Sequence, residues 1–329
     1  MTDAAPLRSR LSAHLEATGL LDAARRLVVA CSGGGDSTAL LALLAGWAGG
    51  RGVVLVGAHV AHGLRGDEGD RDARAAADQA HSLGLPFALR PVDVAELRRP
   101  GESLEAAGRR LRYESLLALA EELGPGTLVA TGHTLDDQAE TVLLNLHRRS
   151  GRTRGGIRAR RADGVVRPIL PFRRAELRDF LAAEGTPFRE DTSNADPRFE
   201  RNRVRLEELP RLEAAHPGVA ARLARAAEAW TRRLDRLDAA LDGALAALPA
   251  PLAGPWPRDL FRRLGPEVSA RLLLRAAGGS GAVPGRVQVE RAVERLLSSA
   301  PRVAESFGGL RLSADARAVA LAGLGRLRG

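Results

Sequence analysis

The sequence predicts an α/β fold: a parallel five-stranded sheet with helices on both faces, followed by a mainly α-helical C-terminal domain that ends in short antiparallel strands. Short apolar, β-branched runs alternate with segments of helical periodicity through the N-terminal part of the chain. This alternation is typical of parallel sheets with right-handed crossovers. Polar motifs directly follow three of the runs. Since ligands bind at the carboxyl ends of strands in such sheets, we expect the three motifs to meet in one crevice.

The predicted elements follow one another in a regular order. Strands are expected at 27–31, 53–59, 87–92 and 128–131, a short apolar run at 167–171, and helices at 8–18, from 38, 70–83, 104–123, from 136 and 174–184. Pro210 and Pro217 indicate a boundary, so 1–215 and 216–329 are predicted to form separate domains. The second domain is expected to hold one or two helices and then three more, at 218–248, 258–264, 266–276 and 285–297. Its end alternates like antiparallel strands joined by Gly-Gly and Asp-Ala turns.

The composition limits the classes of protein to which the chain can belong. A net charge of +9 and a pI near 11.2 favour a polyanionic partner, and all 49 basic residues are arginine, a good bidentate phosphate ligand. The single cysteine, Cys31, excludes an internal disulfide framework and any multi-cysteine metal or iron–sulfur site. The chain has no long apolar run and begins without a signal-peptide core, so we expect a cytoplasmic protein without membrane contact.

A glycine-rich turn joins the first predicted strand to the helix that follows it. The turn consists of Ser32, Gly33, Gly34, Gly35, Asp36 and Ser37. Glycines let the backbone approach a phosphate, and the helix N-terminus presents unpaired N–H groups, so the turn is predicted to bind an anion. It matches neither the Walker motif, which needs a lysine, nor the dinucleotide-binding motif. An ordinary strand-to-helix turn is the alternative, but a carboxylate beside phosphates makes chemical sense mainly with Mg²⁺ between them.

A second polar motif, GHTLDDQAET, follows the fourth strand and continues into a helix. We expect Asp136 to be the N-cap, and Asp137 and Glu140, three residues apart, to share one face of the helix. Acidic residues in a first turn are common partners of the helix dipole. Beside a phosphate-binding loop, however, the pair favours a cation, either Mg²⁺ or the ammonium group of a substrate. His133 is either a structural histidine or a donor to a phosphate.

Two further segments are rich in arginine. Arg109 and Arg112 lie three residues apart on the helix 104–123, where they form either a solvated basic face or a pair that neutralises phosphate. The polar segment 188–205 combines an aromatic ring, an amide and guanidinium groups, in Phe199, Arg201, Asn202, Arg203 and Arg205. Such a combination can stack on RNA bases and bind RNA phosphates. A plain surface loop is the alternative.

Taken in order, these motifs resemble those of one family. They are S-G-G-G-D-S, H-x-x-H-G-L-R, E-A-A-x-R-x-x-R-Y, G-H-x-x-D-D-Q-A-E-T, R-P-I-L and E-D-x-S-N-x-D-x-x-x-x-R-N-x-x-R. The first resembles the pyrophosphate loop of the N-type ATP pyrophosphatases, the PP-loop superfamily, whose fold is adenine nucleotide alpha-hydrolase-like. The whole set, which spans 27–212, is similar to the tRNA(Ile)-lysidine synthetase family.

The resemblance implies an ATP-dependent ligase that acts on tRNA. In that family, ATP adenylates O2 of the wobble cytidine of the CAU-anticodon isoleucine tRNA and releases pyrophosphate. Free lysine then attacks C2 through its side-chain amine, and AMP leaves. The product, lysidine, changes codon recognition from AUG to AUA and tRNA identity from methionine to isoleucine. The resemblance further implies a catalytic ATP-binding domain over 1–215, a tRNA-binding domain over 216–329, and ATP and Mg²⁺ as cofactors; a homodimer is one compatible oligomeric state.

The resemblance also implies roles for individual residues. The catalytic set would be Asp36, His133, Asp137 and Glu140; Asp36 would bind Mg²⁺, and Asp137 with Glu140 would bind lysine. ATP would be bound by Ser32, Gly33, Gly34, Gly35, Asp36, Ser37, His59, Arg112 and His133. The tRNA would be bound by Arg109, Asn194, Phe199, Arg201, Asn202 and Arg205.

Other functions remain as alternatives. A sulfur-transfer enzyme of the same superfamily would thiolate tRNA, but it needs a cysteine pair or an iron–sulfur cluster, and the chain offers only Cys31. An amidotransferase-type synthetase would need a glutaminase cysteine. A non-catalytic nucleotide-binding or RNA-binding module would bind ATP without needing Asp137 and Glu140 and would release no pyrophosphate.

Overall fold

Internal contacts divide the chain into two units. In the computed structural model the first unit comprises Met1–Leu144 and Gly156–Ala226, and the second comprises Asn145–Gly155 and Ala227–Gly329. The structure describes residues 5–63, 66–147, 156–189, 200–246, 248, 252, 254–282 and 284–323.

The first unit is built on a five-stranded sheet. Its strands are β1 (Arg26–Ala30), β2 (Val54–Ala61), β3 (Phe87–Pro91), β4 (Thr127–Ala130) and β5 (Val165–Val166). They lie in the order β3-β2-β1-β4-β5, and every neighbouring pair is parallel. The predicted parallel five-stranded sheet is therefore confirmed. The last strand is only two residues long and lies just before the predicted apolar run.

Helices connect and cover these strands. Those of the first unit are α1 (Ala5–Thr18), α2 (Gly35–Ala48), α3 (Asp67–Ser82), α4 (Val94–Leu97), α5 (Leu104–Glu122), α6 (Leu135–His147), α7 (Arg174–Ala183), α8 (Glu200–Arg203), a π-helical turn (Val204–Glu208) and α9 (Leu209–Ala215). The helix α10 (Val219–Leu245) continues from this unit into the second. It is one helix, which resolves the alternative of one or two.

Burial on both faces of the sheet explains the continuous apolar run of β1. Leu27 and Val29 point to one face, Val28 to the other, and all three are fully buried. The first face packs against α1, α2, α3 and α7, and the second packs against α5. Strands covered on both sides lose the alternation of apolar and polar residues, as this one does.

The second unit combines helices with a small antiparallel sheet. After α10 come α11 (Arg258–Gly279) and α12 (Arg286–Leu297), and the strands are β6 (Trp256–Pro257), β7 (Val303–Phe307), β8 (Leu310–Ala314) and β9 (Ala318–Gly323). The strand order is β6-β9-β8-β7, with antiparallel neighbours. The predicted Gly-Gly turn is Gly308–Gly309, where both residues have positive φ. Helical character and terminal antiparallel strands are confirmed.

The residue Gly265 divides α11 into two helical segments. Its φ of 70° and ψ of 177° interrupt the helix, and Pro266 follows within the same element. Because proline cannot continue the hydrogen-bonding pattern of a preceding turn, the chain starts a new helical segment here. This matches the two helices expected from the sequence at 258–264 and 266–276.

No helix among the described residues is both long enough and apolar enough to cross a membrane.

Candidate active site

The turn between β1 and α2 has the geometry of an anion-binding loop. Gly33 has a φ of +80°, a conformation that favours glycine. Ser37 Oγ donates to the Gly34 carbonyl at 2.9 Å and accepts from the Ser32 amide at 3.1 Å, which fixes the turn. Gly34 precedes α2 and has no side chain to cap it. The N–H groups of the first turn of α2 are therefore available to a phosphate.

The loop after β4 lies directly against this turn. A Cβ atom at Gly132 would be only 3.2 Å from the carbonyl group of Asp36 and from the amide nitrogen of Ser37. Glycine suits this approach, because any side chain would require these backbone atoms to shift by a few tenths of an ångström. The loops that follow β1 and β4 therefore meet at the carboxyl edge of the sheet, as the strand order requires.

The acidic pair lies in the first turns of α6. Thr134 caps this helix: its amide and hydroxyl donate to Asp137 Oδ2 at 2.8 and 2.9 Å, and its hydroxyl accepts from the Asp137 amide at 3.3 Å. The expectation that Asp136 is the N-cap is wrong. Asp136 lies inside the helix, and its carboxylate accepts from the Arg173 side chain and the Arg174 amide. Threonine and aspartate are both good N-caps, so the local sequence did not distinguish them.

Three arginines surround the acidic pair. Arg201 donates to Glu140 Oε2 at 3.0 Å and to Asp137 Oδ1 at 3.1 Å. Arg205 donates to Glu140 Oε1 at 2.7 Å and to Asp137 Oδ1 at 3.0 Å. Arg174 reaches Asp137 Oδ1 at 3.2 Å and Glu140 Oε1 at 3.4 Å. Asp137 and Glu140 share one face of α6, as predicted, and guanidinium groups from other segments cover both carboxylates.

Arg174 also connects the acidic pair to the glycine-rich loop. Its Nε lies 3.0 Å from Asp36 Oδ2, while its two terminal nitrogens contact Asp137 and Glu140. We call these six groups, Asp36, Asp137, Glu140, Arg174, Arg201 and Arg205, the charged cluster. Its formal charges balance, with three carboxylates and three guanidinium groups.

The charged cluster shifts the pKa values of Asp137 and Asp36. Burial acts to raise the pKa of Asp137, but the positive charges of Arg174, Arg201 and Arg205 outweigh it and lower the pKa to about 2. The pKa of Asp36 is raised, because burial and the charge of Asp137 outweigh the opposing effect of Arg174. Glu140 is fully buried, so its carboxylate depends on the cluster for its counter-ions.

The helix α7 is predicted from the sequence, but the contacts of its first residue, Arg174, are not. Arg174 follows β5 at the same edge of the sheet as the other motifs. The rule that ligands bind at the carboxyl ends of strands could have drawn attention to it. It lies 34 to 38 residues from its α6 partners, and no local pattern predicts such contacts.

Of the two predicted histidines, His59 is buried near the end of β2 and His133 is half-buried in the loop after β4. His59 Nδ1 donates to the Cys31 carbonyl at 2.8 Å, which fixes that tautomer, and burial lowers the pKa of His59. His133 Nδ1 lies 3.0 Å from Thr131 Oγ1. Burial lowers the pKa of His133 to about 3, with Arg167 and Arg109 adding to the effect and Asp137 opposing it. Both rings are therefore neutral at pH 7.

The remaining predicted site residues are distributed over two regions. Arg109 and Arg112 of α5 lie against the ring of Tyr113, with guanidinium carbons 5.4 and 5.7 Å from the ring centre. Arg201 and the buried Asn202 belong to α8, and Arg205 to the π-helical turn. Asn194 and Phe199 lie outside the described residues.

The carboxylate beside the glycine-rich loop suits a metal ion that is held jointly by the protein and by substrate phosphates. Within the described ranges, no three His, Cys, Asp or Glu side chains are grouped closely enough to hold a metal ion by themselves. Mg²⁺ in nucleotide sites, however, is commonly held by one or two carboxylates together with substrate phosphates. Asp36, in the first turn of α2 beside the loop, is a carboxylate of this kind.

Comparisons with known proteins agree with this arrangement. A family model described as a PP-loop domain matches residues 6–212. A tRNA(Ile)-lysidine synthase from Methylobacterium nodulans is 43% identical over 282 residues, which is 81% of this chain and 79% of that protein. The chain belongs to the tRNA(Ile)-lysidine synthase family. The family's relative from Thermus thermophilus is 48% identical over 204 residues, which is 62% of this chain.

The matches differ in the extent of the relative that they cover. The chain spans only 39% of the length of the Thermus thermophilus lysidine synthase. Among solved structures, the U34-tRNA thiolase NcsA from Methanococcus maripaludis, determined with its [4Fe-4S] cluster, has a TM-score of 0.52 and 17% identity, covering 62% of this chain and 72% of that one. At that identity the likeness shows a shared fold, and the family's own relatives carry the assignment.

Proposed function

We propose that this chain uses ATP to ligate lysine to C2 of the wobble cytidine of CAU-anticodon tRNA(Ile), through an adenylated cytidine, with release of pyrophosphate and AMP. The product changes codon recognition from AUG to AUA and tRNA identity from methionine to isoleucine. The observation that carries the proposal is the Arg174 guanidinium, which contacts Asp36 of the loop and the acidic pair of α6 at once. Adenylation and amine attack act on the same cytosine, so the phosphate loop and the ammonium site must be neighbours.

In the first half-reaction the chain binds ATP and positions it against the cytosine O2. Residues 32–37 and the N-terminus of α2 hold the leaving pyrophosphate. His59, Arg112 and His133 contact ATP, or in the case of Arg112 the target nucleotide. Asp36 holds Mg²⁺ together with the phosphates. Bound Mg²⁺ would neutralise negative charge that develops on the pyrophosphate.

The second half-reaction needs the acidic pair to exchange its partners. Asp137 and Glu140 hold the lysine ammonium, but in the structure guanidinium groups already occupy their oxygens. Movement of Arg201 and Arg205 onto phosphates of AMP or tRNA would free Glu140 Oε2 and leave Arg174 as the one guanidinium of the cluster on Asp137 Oδ1 and Glu140 Oε1. It would also make Asp137 more basic, because positive charges keep its pKa at about 2. A more basic carboxylate can then take the proton that the amine must lose before it attacks.

Binding of the tRNA completes the proposal. Arg109, Arg201, Asn202 and Arg205 contact the RNA, as do Asn194 and Phe199 in the segment outside the described residues. The region 216–329 forms a separate tRNA-binding domain, which its arginine content favours.

The test is pyrophosphate release from ATP and Mg²⁺, measured with transcribed CAU-anticodon tRNA(Ile) and labelled lysine. We expect release that depends on tRNA, with label entering the RNA, and loss of both after chelation of Mg²⁺. Release without label would mean that the second substrate is not lysine. ATP binding without release would support the non-catalytic module instead.

A single substitution separates the two half-reactions. Asp137→Asn is expected to retain tRNA-dependent pyrophosphate release and to lose lysine incorporation, because only the second step needs the charge of the pair. Glu102→Gln is the matched control: it changes another carboxylate bound by an arginine, Arg110, at 2.8 Å. The control should retain both steps. Equal loss of both steps in Asp137→Asn would assign Asp137 to the ATP or metal site.

The thiolase fold neighbour makes sulfur transfer the nearest rival. Burial raises the pKa of Cys31 to about 12, so its thiolate is not formed at neutral pH. A sulfur carrier or cluster ligand needs a reactive thiolate. Cys31 is also the only cysteine in the 329 residues, so the chain itself supports ligation of an amine rather than transfer of sulfur.

A further inference from the structure

The arginines around Tyr113 differ from those of the charged cluster in having no acidic partner within the part of the chain that the structure describes. Among the described residues, no carboxylate lies within ion-pair distance of Arg109, Arg112 or Arg167, whereas Arg174, Arg201 and Arg205 each contact two or three. Burying a cation without a counter-ion is costly. Such an arrangement is expected where an anionic ligand supplies the missing charge.

The geometry points to a phosphodiester-binding site formed by Arg109, Arg112, Arg167 and the hydroxyl of Tyr113, which holds a backbone phosphate of the RNA beside the target nucleotide. This inference rests on the proposed function and adds to it a second phosphate site, separate from the ATP loop. We call these four groups the tyrosine site.

Two buried polar atoms in the tyrosine site have no hydrogen-bond partner among the described residues. Arg167 is only 4% exposed; one terminal nitrogen donates to the Arg158 carbonyl, but its buried Nε has no hydrogen-bond partner within the described part of the chain. The hydroxyl of Tyr113, which is 7% exposed, lies close enough to the Arg167 guanidinium for that group to lower its pKa, but it has no partner at hydrogen-bonding geometry among the described residues. Buried donors without acceptors are rare in folded proteins, since each leaves its desolvation uncompensated. A phosphate oxygen would satisfy both donors.

The pKa shifts around the tyrosine site indicate an excess of positive charge. Burial acts to raise the pKa of Tyr113, yet the charges of Arg109 and Arg167 outweigh it and the pKa is lowered. Burial and neighbouring arginines lower the pKa values of Arg112 and Arg167 themselves. Arg161, whose guanidinium carbon lies 4.7 Å from the Tyr113 ring centre, is paired with Asp163 and adds no unbalanced charge.

The position of the tyrosine site in the sheet separates it from the ATP phosphates. The glycine-rich loop follows β1, whereas Arg167 directly follows β5, two strands away. At about 4.8 Å between strands, this places the two strand ends about 10 Å apart. Of the two roles proposed for Arg112, contact with ATP or with the target nucleotide, this placement selects the second. The loop and the N-terminus of α2 hold the triphosphate, so the second anion comes from the other polyanionic substrate. Guanidinium groups and a phenol that donates strongly are suited to a phosphate.

The test compares salt dependence of tRNA binding in three variants and one control. Arg109→Ala changes an exposed side chain, Tyr113→Phe removes one hydroxyl, and Arg167→Gln removes a buried charge. The control is Arg110→Gln, on the same helix but paired with a carboxylate of the chain. Binding of transcribed tRNA is measured without ATP from 50 to 300 mM KCl, about the range where such slopes are resolved. Thermal unfolding checks that each variant is folded.

We expect the Arg109 and Arg167 variants to bind tRNA about tenfold more weakly, as for loss of a hydrogen bond to a charged group. Their slopes of log affinity against log salt should fall by about 0.7, the value for one phosphate contact on single-stranded RNA. Tyr113→Phe should weaken binding without changing the slope, and the control should change neither quantity. Unchanged tRNA affinity in Arg109→Ala and Tyr113→Phe overturns the inference, as does a rise in the KM for ATP with an unchanged salt slope.

The same measurements distinguish this inference from the proposed function. Affinity and salt slope need no chemical step, so the tyrosine site is judged even if the wild-type protein incorporates no lysine. Absence of lysine incorporation with the expected slopes would refute the proposed ligase and retain the phosphate site. Lysine incorporation with unchanged salt slopes would support the proposed ligase and refute the phosphate site.

Discussion

The balanced charges of the charged cluster predict strong energetic coupling between Glu140 and Arg201. Glu140 is fully buried and accepts from Arg201 at 3.0 Å, while the Arg201 side chain is 36% exposed. Glu140→Gln leaves one unbalanced buried cation, so we expect a loss of about 3 kcal/mol in unfolding free energy. Arg201→Gln should cost only about 1 kcal/mol, because solvent already screens this side chain. The double variant restores neutrality and should lose about 2 kcal/mol, a coupling of about 2 kcal/mol.

Urea denaturation followed by circular dichroism measures these three losses. Hydrogen exchange of the α6 amides locates the effect in the first unit, since Glu140 lies in the middle of that helix. A matched cycle on Glu102 and Arg110, an ion pair of the same type that is not fully buried, should give a much smaller coupling, because solvent screens it. If the losses of Glu140→Gln and Arg201→Gln simply add in the double variant, charge balance does not stabilise the cluster and the reasoning is refuted.

Three further predictions concern the loop, a histidine and the second unit. Gly33→Ala should cost about 2 kcal/mol and weaken ATP binding in calorimetric titration, because φ is positive there and a Cβ would lie 3.2 Å from the Asp72 carbonyl; Gly50→Ala, at a similar φ but in open space, should cost only about 1 kcal/mol and leave ATP affinity unchanged. The pKa of His133 is about 3 in the folded protein against its ordinary value of 6.5. Its contribution to stability is therefore complete above pH 6.5 and is lost as pH falls toward 3, at about 1.4 kcal/mol per pH unit; His133→Asn should remove that slope from stability curves. Arg258→Met should lower the free energy of unfolding by about 2 kcal/mol, because the hydrogen bonds of this buried guanidinium to described residues go to backbone carbonyls of the second unit. An unchanged melting temperature would contradict this.

The sequence predicted the parts of the site that depend on chain order. Parallel strands must end at one edge, so the motifs after β1 and β4 could be expected to meet, and Gly132 lies against Asp36 as a result. The shared face of Asp137 and Glu140 follows from helical periodicity alone. These statements need only local pattern and topology.

The partners of the acidic pair could not be predicted in the same way. Arg174 lies 34 residues from Glu140, and Arg201 lies 61 residues from it. Their meeting depends on how α7, α8 and the π-helical turn pack against α6, which no periodicity specifies. Arg201 and Arg205 were predicted to contact RNA as an exposed set would. In the structure they neutralise buried carboxylates, so any contact with RNA requires them to change partners.

The tyrosine site shows a second limit of sequence reasoning. Arg109 and Arg112 stand out by their spacing, whereas Arg167 opens the R-P-I-L motif, to which the sequence gives no role of its own. Its significance depends on burial and on the absence of acidic neighbours among the described residues, neither of which is visible in a chain where every basic residue is arginine.

The exclusive use of guanidinium groups in the charged cluster has a chemical consequence under the proposed function. An enzyme that activates a cytosine for attack by an amine must keep other amines away from it. A lysine at the position of Arg174, Arg201 or Arg205 would be a tethered nucleophile at high effective concentration. Arginine remains protonated and unreactive at physiological pH. Since the 329 residues include no lysine, none of them carries a side-chain amine that could be ligated in place of the free amino acid.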